Sequence, residues 1–467
     1  MAKGRGRRQL WLLLAAFVFA LLVVAGLVPN PLPPIWGWLT EERPLAPDLA
    51  WQDRIGSRPG AAAAAGDSVA VDAGTSSQLR RRSSGGQISP EESPDWVADW
   101  VVVAGGGGRE AVVIVNRQDQ DGYQVRDPAT GALIHTDQDA VAVWGYQQAW
   151  LDLRCGGDSR ACQLRRFRIG QVSPVWVIDL PGERVGMLGP NPELAGPRIP
   201  SPNRVHSQVS GPEPLPPLLG LTVTRSGAEH VVVLRTSDGA VLRELAPGRG
   251  ERVLVAGDRV IRSTLQRHSG VCVASVTGHD PASGALVWGT HPYHVWSTGD
   301  VGCEQREPPL GSGHALAVVR PDGRPAIIDG YDGRLLWSGE LDERVEDLSP
   351  ERAVIRATDR TTRYAVLLGG DGTRLWERIA DPDAGVALAS CGVVVADQNP
   401  DRVYVWDPVT GQNRLSRPTG ARVLACAPEG VVLADGRSIG FARFDGAGGV
   451  PEPPTDGRDP DPPPEPK

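Results

Sequence analysis

Three histidines are the first candidates for chemistry. His291 and His294 stand three apart in THPYH (290–294), with His279 upstream. Imidazoles at that spacing ligate zinc when a helix or a tight turn gathers them. The flanks here lack a helical pattern, so a solvated loop is expected. DQDG (119–122), with Asp127 further on, opens like a calcium loop but lacks the third ligand and the closing glutamate. Exposed acids on a β-turn are expected there. AGGGGRE (104–110) is rich enough in glycine to cradle phosphate, but that needs a following helix, and AVVIV (111–115) reads as a strand. The scattered histidines form no triad pattern. No catalytic, metal or cofactor-binding residue is assigned, and no cofactor is expected.

The elements that would position these residues are strands. The chain has 467 residues with 57 Gly and 42 Pro, more punctuation than helices tolerate. Its net charge of −8 and the lack of a large basic cluster argue against nucleic acid. At the N-terminus a short basic segment (1–9) with Lys3, Arg5, Arg7 and Arg8 precedes an uncharged apolar run, Leu10–Val28. As a helix that run spans about 28 Å, the thickness of a bilayer core. The basic flank places the N-terminus in the cytoplasm and the rest outside, with Trp36 and Trp38 at the interface. Cleavage after Val23-Val24-Ala25, giving a secreted protein, is the alternative. The six cysteines all follow the run, as export predicts. Residues 29–95 read as a flexible linker, except for a strand-like DLAWQ (48–52), and 447–467 as a disordered acidic, proline-rich tail.

Between 96 and 446 the pattern is short strands and glycine turns. DPATGALIH (127–135), DPASGALVW (280–288) and DPVTGQNRL (407–415) carry Gly131, Gly284 and Gly411. Shorter Asp-Gly forms carry Gly239, Gly333 and Gly372, and RIGQVSPVW (168–176) is a degenerate copy at Gly170. Successive spacings from Gly131 are 39, 69, 45, 49, 39 and 39, the 69 containing a proline-rich insertion at 189–217. A period near 40 with several strands per unit marks a β-propeller. Proline fixes φ in these turns and glycine allows it to be positive. The fourth residue after each glycine is His135, Arg243, Trp288, Trp337, Trp376 or Leu415, and Trp176 closes the degenerate copy. Trp176, Trp288, Trp337 and Trp376 are expected to pack blade against blade.

At these residues the chain resembles the quinoprotein-like (PQQ-like) β-propeller family, whose hallmark is D-x-x-x-G-x-x-x-W. The match is clear at Asp280–Trp288 and shortened at Asp332–Trp337 and Asp371–Trp376. The resemblance covers 96–446 and implies blades of four antiparallel strands. Seven glycine turns are visible; ARVLAC (421–426), GVVLAD (430–435) and SIGFARF (438–444) follow as three inner strands of one more blade. DLAWQ would supply the outer strand. The expected fold is all-β: an N-terminal transmembrane helix, then an eight-bladed propeller, with seven blades as the alternative. The blade register pairs Cys155 with Cys162, Cys272 with Cys303 and Cys391 with Cys426. The family's dehydrogenases use an ion held by carboxylates and amides, a catalytic Asp and often adjacent cysteines; no such set carries over here. The same repeats occur in non-catalytic assembly factors. High Gly, Ala, Arg and Pro usage gives the chain an actinobacterial character. The expectation is a membrane-anchored, extracytoplasmic, non-catalytic scaffold, with a protein partner at the propeller face and a role in envelope assembly. The 189–217 insertion is the most unusual loop for that partner. The alternative is a quinone-dependent dehydrogenase-like enzyme or a small-ligand receptor using the axial pocket.

Overall fold

The computed structural model describes residues 44–72, 77–88, 98–105, 111–117, 122–156, 161–188, 209, 211–248, 250–269, 271–295, 310–368 and 372–445. The chain divides into two compact units, 1–44 and 45–467. The apolar run Leu10–Val28 and the tail 447–467 lie outside the described residues. Among the described residues no helix is long and apolar enough to cross a membrane.

Among the described residues the second unit is an all-β propeller of nine antiparallel blades, not eight or seven. In chain order they are residues 62–88, 98–137, 140–181, 184–245, 251–291, 294–338, 344–379 and 385–418, and a ninth made of 422–443 with 51–54. Blades one to five, seven and eight are each four consecutive strands. In the sixth, the first strand is split into His294–Val295 and Gly311–Ser312, both pairing with Ala315–Val319. In the ninth, Trp51–Arg54 pairs antiparallel with Ser438–Arg443, placing Trp51 opposite Phe441 and closing the ring. DLAWQ therefore marks the closing strand, shifted by three residues to begin at Trp51.

The additional blade lies inside the stretch expected to be linker. Its strands are Ala62–Ala65, Ser68–Asp72, Ser77–Arg81 and Gln87–Ile88. Two features hide it in the sequence. Alanine is a poor strand former, yet first strands of neighbouring blades approach closely here, and Ala62 and Ala65 are buried where little room is left. Its turn has Arg81 in place of the usual Asp. The geometry is nonetheless the same: Gly85 N–H donates to Arg81 O at 2.8 Å and Arg81 N–H to Gly86 O at 2.9 Å. In the eighth blade Gly411 N–H donates to Asp407 O at 2.9 Å and Asp407 N–H to Gln412 O at 2.8 Å. The turn at Gly333 likewise starts at Asp329, whose carbonyl accepts from Gly333 N–H at 2.8 Å. Asp329–Trp337 is thus a full-length copy of the repeat motif, not a shortened one.

Each of nine hydrophobic clusters fills one seam between neighbouring blades. Strands alternate their side chains between two seams, so both faces are apolar. In Gly392–Gln398, Val393 and Val395 enter the seam with the seventh blade and Val394 and Ala396 the seam with the ninth. This explains the unbroken valine runs.

Tryptophans lock the seams. Trp176, Trp288, Trp337 and Trp376 are each buried, and so is Trp51 on the closing strand. Indole N–H groups of Trp51, Trp176, Trp288 and Trp376 donate to the carbonyls of Arg82, Thr236, Gly330 and Pro408 at 2.9, 2.9, 3.1 and 3.2 Å. Each acceptor lies three residues before the turn glycine of the next blade. The turn glycines have φ near +70° to +76°. At Gly411 a Cβ would sit 2.7 Å from Trp376 Cγ, and at Gly85 2.7 Å from Trp51 Cδ2. Glycine is required there both for its backbone and for the ring above it. Arg243 fills the same slot with its guanidinium against Gly284.

Cys155 bonds Cys162 across directly paired strand positions, with Cα atoms 4.1 Å apart. Cys391 bonds Cys426 between the eighth and ninth blades, with Cα atoms 5.8 Å apart. Cys272 is also disulfide-bonded; Cys303 lies outside the described residues. The 391–426 bond closes a loop of 35 residues, a constraint of about 3–4 kcal/mol in the chain-entropy treatment. Replacing both cysteines with serine is expected to lower the melting temperature by several degrees, and non-reduced peptide mapping to give a linked 391–426 peptide. Unchanged melting would show that the bond adds no stability.

Candidate functional site

The residues with potential for chemistry separate on folding. His279 serves its own turn: Nδ1 is 3.2 Å from Gly284 O and Nε2 is 3.0 Å from Thr277 Oγ1. His291 ends one strand and His294 begins another. Asp127 caps its turn, accepting from Ala129 and Thr130 N–H groups at 2.9 and 2.7 Å. The glycine-rich stretch joins strands Ala98–Gly105 and Ala111–Arg117 with no helix after it.

A different group comes together where the second blade meets the third. His135 and Asp137 lie on Leu133–Asp137 and Tyr123 on Tyr123–Arg126; Trp150 and Asp152 lie on Ala149–Cys155 and Arg165 and Phe167 on Ala161–Arg168. Asp137 and Asp152 are buried. Arg165 bridges them: its Nε donates to Asp152 Oδ1 at 2.7 Å, and its terminal nitrogen reaches both carboxylates. Tyr123 O–H donates to Asp152 Oδ2 at 2.6 Å and Trp150 Nε1–H to Tyr123 Oη at 3.2 Å. Arg154 Nε donates to Asp137 Oδ2 at 2.9 Å. His135 stacks at a tilt on Phe167, 5.2 Å between centroids, and Phe167 lies flat against Trp150 at 5.0 Å.

His135, Asp137 and Asp152 place ligand atoms within 4.8 Å of one another, close enough to raise a metal. The position between the carboxylates is already taken by the Arg165 guanidinium, and two acids face two arginines. The donor set therefore fits a closed ion network better than a cation site. Burial pushes the Asp152 carboxyl up, opposed by Arg165 and Tyr123. Burial would raise Asp137 too, but hydrogen bonds from Arg154 and Arg165 outweigh it and leave its carboxyl below the usual value. Burial lowers the His135 imidazole from the ordinary 6.5; Asp152 and Asp137 oppose this and Arg165 and Arg154 add to it. The cluster escapes sequence reasoning because its members come from four strands of two blades. The one signal was His135 in a tryptophan position.

The other candidate is the end of the 189–217 insertion. Val209 is buried in the seam between the eighth and ninth blades. Ser312 Oγ of the sixth blade donates to Glu213 Oε1 at 3.3 Å. Gln147 N–H of the third blade donates to Glu213 O at 2.9 Å, and Leu215 N–H donates to Gln148 Oε1 at 3.0 Å. Thr236 Oγ1 of the fourth blade donates to Pro216 O at 2.6 Å. The described residues of this segment thus form a chord across the ring, on the side of the turns joining each blade's first and second strands.

Fold and seams define an all-β propeller of four-stranded antiparallel blades. The family model described as outer membrane protein assembly factor BamB matches residues 272–423, the end of the fifth blade to the start of the ninth. No curated protein matches the chain. Among solved structures, BamB from Moraxella catarrhalis is 15% identical with a TM-score of 0.36, covering 74% of this chain and 94% of that one. A quinohemoprotein alcohol dehydrogenase from Pseudomonas putida HK5 is 12% identical with a TM-score of 0.38, covering 89% and 78%. Nothing about activity follows from likenesses this distant.

Proposed function

We propose that the chain is a non-catalytic scaffold that holds protein partners at one face of its propeller during envelope assembly. In this reading it is an actinobacterial-type protein, anchored by Leu10–Val28, with the propeller outside the cell. The match of 272–423 to the outer membrane protein assembly factor family carries the proposal. The polar cluster supports it, because its acids and arginines are spent on joining two blades. The chord of 209–217 favours a partner-facing role for that side over a small-molecule pocket on the axis. A labelling enzyme fused after Lys467 of the intact chain is expected to tag extracytoplasmic assembly proteins. Labelling identical to that from the same anchor bearing an unrelated domain overturns the scaffold. Labelling of cytoplasmic proteins overturns the orientation.

A further inference from the structure

The second-to-third seam has His135 at the position where tryptophan locks other blades. One edge of the imidazole faces inward: Nε2 is buried and has no hydrogen-bond partner. Aromatic rings of Tyr123, Trp150 and Phe167 surround it at centroid distances of 5.8, 6.4 and 5.2 Å. The charged groups facing it are Asp137 from its own blade and Asp152, Arg154 and Arg165 from the next. Those four already pair off.

We propose that this seam is a pH-responsive latch, closed while His135 is neutral and loosened when the imidazole takes up a proton. An imidazolium here would be a fifth charge in a network of two acids and two arginines, and it would be partly desolvated. To find water or an acid of its own, it must either swing out of the aromatic slot or draw Asp152 away from Arg165 and Tyr123. Either movement unpacks the contact between the two blades. The sign follows from linkage. The unfolded or opened seam binds a proton near the ordinary 6.5, while the closed seam binds it only at lower pH. Closure is therefore fully favoured above about 6.5 and weakens as pH falls from there through the closed-state value. The mildly acidic range, rather than the strongly acidic range of free carboxylates, is where the change occurs.

Hydrogen exchange on the full-length chain tests this. Amides of Leu133–Asp137 and Ala140–Gly145 are followed at pH 7.5 and 5.5, corrected for intrinsic rates. Strands Asp401–Trp406 and Asn413–Pro418 serve as the reference. Protection at the seam is expected to fall relative to the reference by up to about tenfold, the most that one pH unit below the ordinary imidazole value allows. His135→Phe, which keeps an aromatic ring and cannot protonate, is expected to remove the difference; His135→Gln serves if the Phe variant does not fold. Equal relative protection of the wild-type seam at both pH values overturns the proposal. So does a pH dependence that survives substitution, which would assign the effect to Asp137 or Asp152.

Discussion

Trp337→Ala is expected to destabilise the propeller by roughly 3–5 kcal/mol, the usual cost of truncating a buried aromatic. Trp337 is only 7% exposed and lies in the seam between the sixth and seventh blades. Its Cδ1 would be 3.1 Å from a Cβ on Gly372, so the indole covers the neighbouring turn. The cavity cannot collapse easily, because both sheets are held by their own hydrogen bonds and by their opposite seams. Denaturant titration of the full chain measures the loss. A change under 1 kcal/mol would show that the indole contributes little to joining the blades.

Trp51→Ala is expected to cost a similar amount, but with a different distribution. The side chain packs in the ninth-to-first seam, stacks near Phe441 at 6.4 Å and donates its indole N–H to Arg82 O. Arg80 pairs with Asp53 on the same strand and adds a polar clasp. Removing the indole weakens a joint made by residues from opposite ends of the chain. Exchange should therefore rise first in Trp51–Arg54, Ala62–Ala65 and Ser438–Arg443, before global unfolding. Uniform exchange across all nine blades would show that the ring does not open at this joint.

Much of the architecture was legible because its causes are local. Positive-φ turns at Gly131, Gly239, Gly284, Gly333, Gly372 and Gly411 need glycine, and the valine runs announce strands buried on both faces. The first blade was not legible, since its Ala62–Ala65 strand derives its fitness from crowding at the axis and Arg81 replaces the capping Asp. Asp329 was passed over in favour of Asp332 although Asp329, Gly333 and Trp337 already stand at the D-x-x-x-G-x-x-x-W spacing, because the nearer Asp-Gly pair drew the eye. The cluster of Tyr123, Asp137, Asp152 and Arg165 depends on two blades meeting, which no single stretch encodes. Its members look like ordinary strand residues until the seam forms.

The closing strand has a consequence for how the molecule is made. Trp51 precedes its partner Phe441 by about 390 residues, so during synthesis it emerges well before that partner and waits for nearly the whole chain. Until then Ser438–Arg443 does not exist to receive it, and the strand's hydrogen-bonding edge stays unpaired. Bringing together ends so far apart carries a loop entropy of about 5 kcal/mol, which the eight intervening blades reduce by forming beforehand and holding the ends near each other. Ring closure is then the last folding event, and a chain halted shortly before residue 438 would present eight sound blades with open flanks, ready to pair with another chain.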